Sequence, residues 1–113
     1  MAQTGKNLGQ SRPSGTSATQ VYSPAAGTTT FVRSVCMANT TGTAAQATVY
    51  IDINGSTYDA DSMVFTRSIS ANDTVIANID QPGIVMDDSD GNIAVKQGTG
   101  NAVCFTISGI EIT

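Results

Sequence analysis

Aspartates supply most of the side chains in this sequence that could take part in chemistry. The stretch MDDSDGN (residues 86–92) places three of them directly before a glycine, as in the first half of a calcium-binding loop. A loop of the EF-hand type with Gly91 at its sixth position would need acids where Met86 and Gln97 stand. We therefore interpret the segment as a turn between two strands, made by its Asp-Gly pair. The alternative is a weak cation site formed by Asp87, Asp88 and Asp90.

A second acidic pair, Asp59 and Asp61, lies in the stretch TYDAD (residues 57–61). Paired carboxylates can hydrolyse glycosidic bonds, so a small hydrolase that uses these five aspartates is one hypothesis. The pair falls in an apparent loop, and aromatic residues, which usually line sugar sites, make up only 5% of the chain. A solvated turn is the preferred interpretation.

The sequence contains no histidine. That absence excludes a Ser-His-Asp triad, a Cys-His pair and imidazole metal ligands. Acid–base chemistry near neutral pH would depend on a carboxylate or lysine with a shifted pKa. We therefore expect a protein that is not an enzyme and has no catalytic residues and no cofactor.

Charged residues make up only 12% of the 113 residues, and they are unevenly distributed. Lys6 and Arg12 lie in the first twenty residues, which contain no acid. The remainder has three basic residues against nine acidic ones, a net charge of −6. Binding to nucleic acid is not expected, because neutralising phosphates requires a basic patch. The abundant uncharged polar residues suit surfaces that pack against other subunits.

The length fits one domain preceded by an arm. Residues 1–18 have Leu8 as their only large apolar side chain, and Gly, Ser, Thr and Pro make them an extended arm that orders only against another surface. Residues 19–113 form the domain. The arm is predicted to serve in assembly through Lys6, Leu8 and Arg12, and its deletion is expected to leave the domain folded. No segment has the apolar length of a signal peptide or membrane span, so synthesis in the cytoplasm and no membrane partner are expected.

From Thr19 onward the sequence predicts strands at short intervals, separated by turn residues. The predicted strands are TQVYS (19–23), TTTFVRSVCMAN (28–39), AAQATVYIDI (44–53), SMVFTRSIS (62–70), TVIANI (74–79), IVM (84–86), NIAVKQ (92–97) and AVCFTISGIEIT (102–113). About eight strands without helical periodicity indicate an all-β chain with a single β-sandwich of jelly-roll type. An immunoglobulin-like sandwich is the alternative, although its usual buried tryptophan is absent.

The last predicted strand changes phase, because Ile107 and Ile110 have opposite parity with Gly109 between them. A β-bulge is therefore predicted at Gly109. Cys36 and Cys104 lie in apolar strand runs and are predicted to be buried thiols. A bridge between adjacent strands is the alternative.

Four short motifs resemble those of small virion proteins of tailed bacteriophages. They are Leu8-Gly9, Tyr22 to Gly27, Val32 to Thr40, and Ser108 to Glu111. The resemblance covers most of the chain. Its relatives are head-decoration (cement) proteins and parts of tail fibres or tail tips, and it implies a β-sandwich with a structural role on the virion.

The resulting expectation is a non-enzymatic capsid decoration protein that binds joints between capsid subunits through its arm and sandwich surfaces. Its expected partners are the major capsid protein or other virion subunits. Self-association is expected as well, with a trimer suggested by analogy alone. The alternatives are a component of the phage tail and a carbohydrate-binding module.

Overall fold

The computed structural model describes residues 3–80 and 83–113, and these residues form nine β-strands and no helix. The strands are β1 (Gln3–Ser11), β2 (Thr19–Tyr22), β3 (Thr29–Asn39), β4 (Ala45–Asp52), β5 (Met63–Ile69), β6 (Thr74–Asn78), β7 (Ile84–Met86), β8 (Asn92–Gln97) and β9 (Val103–Ile112). Accordingly, no helix in these two ranges is long and apolar enough to span a membrane.

The nine strands form two antiparallel sheets. Sheet A has the order β1-β9-β3-β6, with β7 also paired to β3, and sheet B has the order β2-β8-β4-β5. β6 and β7 lie end to end along β3, because β6 pairs with residues 34–38 and β7 with residues 30–32. Together they fill one strand position.

The resulting eight positions pair first with last, second with seventh, third with sixth and fourth with fifth. This nested pairing is that of one long hairpin wrapped into two sheets, which is a jelly roll. The predicted all-β sandwich is confirmed.

All eight predicted strands occur, as β2 to β9, and most of their ends agree within one residue. β4 shows why. Its alternation sends Ala47, Val49 and Ile51 into the core, where they are at most 5% exposed. The facing strand β9 supplies Phe105 and Ile107, the neighbouring strand β8 supplies Ile93, and these and other side chains form one apolar cluster between the sheets.

The structure corrects the prediction that residues 1–18 form an arm that orders only against another surface. Residues 3–11 are strand β1, which pairs with β9 from Ile112 back to Phe105. The side chain of Leu8 is 6% exposed and belongs to the core. The polar composition does not predict this strand, because β1 lies at the edge of its sheet and contributes only Leu8 to a core formed mainly by the other strands.

The connection between β1 and β2 is also attached to the body. The side chain of Gln97 is 1% exposed, and its amide donates hydrogen bonds to the carbonyl oxygens of Pro13 and, at 2.9 Å, Gly15. Its carbonyl oxygen accepts from the backbone N–H groups of Ala102 and Val103, at 3.1 and 2.8 Å. One buried amide therefore joins the β1–β2 connection to the β8–β9 turn.

The prediction of a bulge at Gly109 is wrong about the strand, although bulges do occur in the two strands beside this part of β9. β9 keeps strict alternation through Gly109, and the extra residues lie opposite, at Arg33 in β3 and Leu8 in β1. A side chain at Gly109 would collide with the carbonyl oxygen of Phe31 and approach Leu8. The bulge in β3 changes its parity, so that Phe31 faces outward whereas Val35 faces the core.

The Asn54-Gly55 pair, a combination typical of tight hairpin turns, does not form one here. Neither residue has a positive φ, and residues 53–62 form a longer loop between β4 and β5. The carboxylate of Asp52 organises this loop by accepting from the backbone N–H groups of Asn54 and Thr57, at 3.3 and 2.9 Å.

Candidate interaction surface

The aspartates of residues 87–90 lie in a turn between β7 and β8. The carboxylate of Asp88 accepts the backbone N–H of Asp90 at 2.9 Å, and its carbonyl accepts the N–H of Gly91 at 2.9 Å. Across residues 3–80 and 83–113, no three acidic or thiol side chains converge in a way that could hold a metal ion. A turn lies here, but it connects two sheets and is not the predicted hairpin, and its central residues are Ser89 and Asp90 instead of the predicted Asp90-Gly91 pair, because Gly91 has no positive φ.

The second acidic pair borders an open groove of about 460 Å³ formed with the β4–β5 loop. The carboxylate of Asp59 accepts the N–H of Asp61 at 2.9 Å, and Asp52 is bonded to the same loop. Two of the three carboxylates therefore stabilise the loop that carries them. The predicted solvated turn matches this geometry.

The three residues assigned to the arm have different environments. Leu8 is buried in the core. Lys6 binds the carboxylate of Glu111 at 3.1 Å, with its own side chain 51% exposed. Arg12 is exposed just after β1. They do not form a common binding surface.

Glu111 also joins the two sheets at this end of the sandwich. The hydroxyl of Tyr22 in sheet B donates to its carboxylate at 2.6 Å and accepts from the hydroxyl of Thr30 at 2.6 Å. Burial, followed by the bond to Glu111, raises the pKa of Tyr22 from 10.0 to about 12. The same bond lowers the pKa of Glu111. A tyrosine with a raised pKa is held protonated, which suits a structural link better than a base.

The outer face of sheet B is polar and partly covered. Gln46, Thr48 and Thr66 form a ladder of side-chain hydrogen bonds across β4 and β5, at 2.6 and 3.1 Å. Tyr50, which the alternation of β4 places on this outer face, is only 5% exposed, because the β4–β5 loop folds over it and sets Tyr58 at a ring distance of 6.1 Å. Tyr50 is therefore not available for contacts.

The outer face of sheet A has a different composition. From Gly5 onward, the register places no Asp, Glu, Lys or Arg at an outward position of β1, β9, β3, β6 or β7. We name this surface the uncharged face. Its apolar side chains are Phe31, Cys36, Ile76, Val85, Cys104 and Ile110. Between them lie small polar residues such as Ser34, Thr106 and Ser108.

Two of the apolar side chains project strongly from the uncharged face. Ile76 is 59% exposed and Val85 is 40% exposed. A charged residue, Arg33, lies at the bulge of β3 between the segments that pair with β7 and β6, and its Cδ lies next to Gly83. Outward apolar positions on several neighbouring strands are a feature of contact surfaces.

The sequence contains a signal for this face. The run at residues 28–39 is apolar on both sides, which is typical of a strand that is covered on both faces and central to a sandwich or a subunit contact. The structure covers only one of them, with sheet B, so the other is left without a neighbour. Which side chains share this face depends on the register of β3 with β9 and with β6, and the sequence pattern does not give that register.

Both cysteines lie on the uncharged face as free, half-buried thiols. Cys36 aligns with Thr106, and Cys104 aligns with Ala38, so the two are diagonal neighbours on adjacent strands. The prediction of unbonded thiols is confirmed, whereas their full burial is not.

A further apolar groove of about 340 Å³ opens between the edge strands β5 and β6–β7. It is lined by Val35, Val64, Phe65, Ala77, Ile79 and Ile84.

Comparisons with known proteins add little. No protein-family model and no curated protein matches the chain. A solved structure entitled "Structure of infectious bursal disease virus Gt strain" aligns with 97% of this chain at 15% identity, with a TM-score of 0.28. The chain spans 29% of the length of that protein. A TM-score this low carries no functional argument.

Proposed function

We propose that the protein is a non-enzymatic structural component of a bacteriophage virion, most specifically a capsid decoration (cement) protein that stabilises joints between capsid subunits. It would bind the major capsid protein or another virion subunit through the surfaces of its jelly roll. The alternative within the same class is a component of the phage tail.

The observation that carries this proposal is the uncharged face, a sheet surface with Ile76 and Val85 projecting from it. A structural subunit acts through area and shape, and contact surfaces are depleted of charged residues at their centres. The jelly roll is a frequent architecture of viral capsid domains, although a fold alone does not define a function. The resemblance to phage virion proteins supplies the virion context.

The chemistry of the remaining polar groups supports a structural role. The carboxylates of Asp52, Asp59, Asp88 and Glu111 each accept hydrogen bonds within the chain. Gln97 likewise has its polar atoms bonded internally. These side chains hold loops and sheets in place through hydrogen bonds within the chain.

The test is to locate the protein on intact particles by cryo-electron microscopy of the parent phage, with its copy number measured by quantitative mass spectrometry. A cement protein is expected on the head in hundreds of copies, since capsid joints are repeated that often. A few copies at the tail would support the tail alternative. Absence from both head and tail would exclude a virion role.

A carbohydrate-binding module is the competing class, because jelly rolls also occur in lectins. The open groove beside Asp59 and Asp61 is the place where a sugar would bind. A glycan array in the presence of calcium tests this alternative. Binding that is lost when Asp61 is replaced by asparagine would favour it over the virion role.

A further inference from the structure

We propose that the uncharged face is the site at which two copies of this chain pack against each other. The inference rests on the proposed function in that a structural subunit acts through contacts. Its test measures association in solution, so it succeeds or fails independently of whether particles contain the protein.

The charge distribution argues for a second copy as the occupant. The chain has a net charge of −4, so two copies repel each other over most of their surfaces. Sheet B carries Lys96 on its outer face, and five of the nine acidic residues lie in the loops around residues 59–61 and 87–90. The uncharged face is the broad surface through which two negatively charged copies can approach without burying a carboxylate.

The size of the face meets the requirement for a stable contact. β9 has ten residues, which gives a length of about 33 Å, and four strand positions give a width of about 19 Å. The face therefore offers on the order of 600 Å² per copy, or about 1,200 Å² for a pair, which exceeds the roughly 1,000 Å² expected of a specific interface.

The side chains give the face a shape suited to packing. Ile76 and Val85 project at its β6–β7 margin, whereas the central strands carry small residues such as Ser34 and Ser108. Projecting apolar groups against small residues are what two sheets need to interdigitate at about 10 Å. Arg33 lies at the β3 bulge within the sheet, and arginine is enriched at protein interfaces.

A face that packs against its own copy produces a closed two-fold dimer. A trimer, as the resemblance suggests, would instead need a contact between two different patches. The proposal therefore commits to a dimer in solution.

Sedimentation velocity over a range of concentrations tests the proposal on the full chain. We expect the wild-type protein to sediment at twice the 11.6 kDa of one chain. The double variant Ile76→Glu/Val85→Glu should be monomeric, or should dissociate with a Kd raised at least about tenfold, because each dimer would bury four additional carboxylates.

The chain offers a closely matched control. Ile53 and Met63 are 54% and 39% exposed, against 59% and 40% for Ile76 and Val85, and they lie outside the uncharged face. The variant Ile53→Glu/Met63→Glu adds the same charge at the same exposure and should remain dimeric. Far-UV circular dichroism checks that each variant is folded. If the glutamate pair on the uncharged face fails to fold, Ile76→Thr/Val85→Thr provides the same comparison.

The two cysteines give a second, independent measurement. Cys36 and Cys104 lie on the central strands of the uncharged face, so their reaction with a maleimide should slow as the wild-type concentration rises. In the Ile76→Glu/Val85→Glu variant, the rate should be independent of concentration. A wild-type protein that is monomeric at every soluble concentration, an odd-numbered oligomer, or equal dissociation of both glutamate variants would overturn the proposal.

Discussion

Two amide side chains, Gln97 and Asn39, are buried at the same end of the sandwich and make more hydrogen bonds there than any charged residue makes elsewhere in the described ranges. The amide of Asn39 donates to the carbonyl oxygens of Thr43 and Ile69 at 2.8 and 3.0 Å, and its oxygen accepts from Thr41. Uncharged amides cost less to bury than ions do, provided that every polar atom has a partner. At this end of the sandwich, neutral amide side chains therefore hold the loops in place.

Replacing Gln97 by leucine tests this at one position. The change keeps the volume approximately but leaves the N–H groups of Ala102 and Val103 without their acceptor. Because each unsatisfied buried polar group costs about 1–3 kcal/mol, we expect the free energy of unfolding to fall by at least about 2 kcal/mol. Urea denaturation followed by circular dichroism measures it.

The control is Gln46→Leu, which removes an exposed glutamine whose hydrogen bond to Thr66 lies on the surface of sheet B. A loss within about 0.5 kcal/mol is expected there. Equal losses in the two variants would show that Gln97 does not fasten the loops.

The pair Tyr22–Glu111 predicts a dependence of stability on pH. Because the pKa of Tyr22 is raised from 10.0 to about 12 in the folded protein, the unfolded chain loses this proton first. The stability that this shift supplies is complete below pH 10 and is lost as the pH rises towards 12. Glu111 has a lowered pKa, so its contribution is complete above its ordinary value of 4.5 and is lost as the pH falls through the folded-state pKa.

Tyr22→Phe removes the first effect and the largest cause of the second, while Lys6 continues to lower the pKa of Glu111. The difference in unfolding free energy between wild type and this variant should be largest near neutral pH and should shrink, by on the order of 1 kcal/mol, on each side. Urea titrations at several pH values measure it. Two stability curves that run parallel from pH 4 to pH 12 would contradict the assignment.

At the scale of elements, the sequence predicts strands β2 to β9 but not β1. Strands β2 to β9 each carry their own alternation and turn residues, and each was found in the sequence. β1 has a single apolar side chain, so its strand character depends on the exposed edge of β9, about a hundred positions away. The sequence predicts the bulge at Gly109 instead of at Arg33 for a related reason. The extra residues lie in the two strands that pair with β9, and their positions depend on pairing between distant parts of the chain. The uncharged face depends on the same long-range register.

The position of Leu8 makes β1 testable. Leu8→Ala should reduce the free energy of unfolding by about 2–3 kcal/mol, because it leaves a cavity in the core between the sheets. Arg12→Ala, in an exposed position next to the same strand, should change it by less than about 0.5 kcal/mol. Both are measured by urea denaturation. Deletion of residues 1–18 should destabilise the domain further, by exposing the edge of β9; a truncated protein of wild-type stability would restore the arm interpretation.

At the scale of the whole molecule, the nested pairing brings the two ends of the described chain together. Gln3 is the register partner of Ile112, so their Cα atoms lie about 5 Å apart. A short flexible linker can therefore join the first strand to the last. The fold is closed in space although the chain is open.

A circular permutant follows from that closure. With the ends joined, new termini between Ala26 and Gly27, in an exposed corner between β2 and β3, should give a folded domain that unfolds cooperatively in urea. New termini between Ser14 and Gly15 should be much more destabilising, because Gln97 binds the carbonyl groups on both sides of that break. A permutant opened at Ala26 that fails to fold would contradict this geometry.

The central place of β9 in sheet A has a consequence for biosynthesis. This strand is translated after the eight others, yet it is the one that β1 and β3 both require as a partner. During elongation of the nascent polypeptide, β1 therefore has no edge to join, and sheet B can form its ladder before sheet A is complete. Almost the whole domain must therefore emerge from the ribosome before β1, the first strand synthesised, can pair with β9.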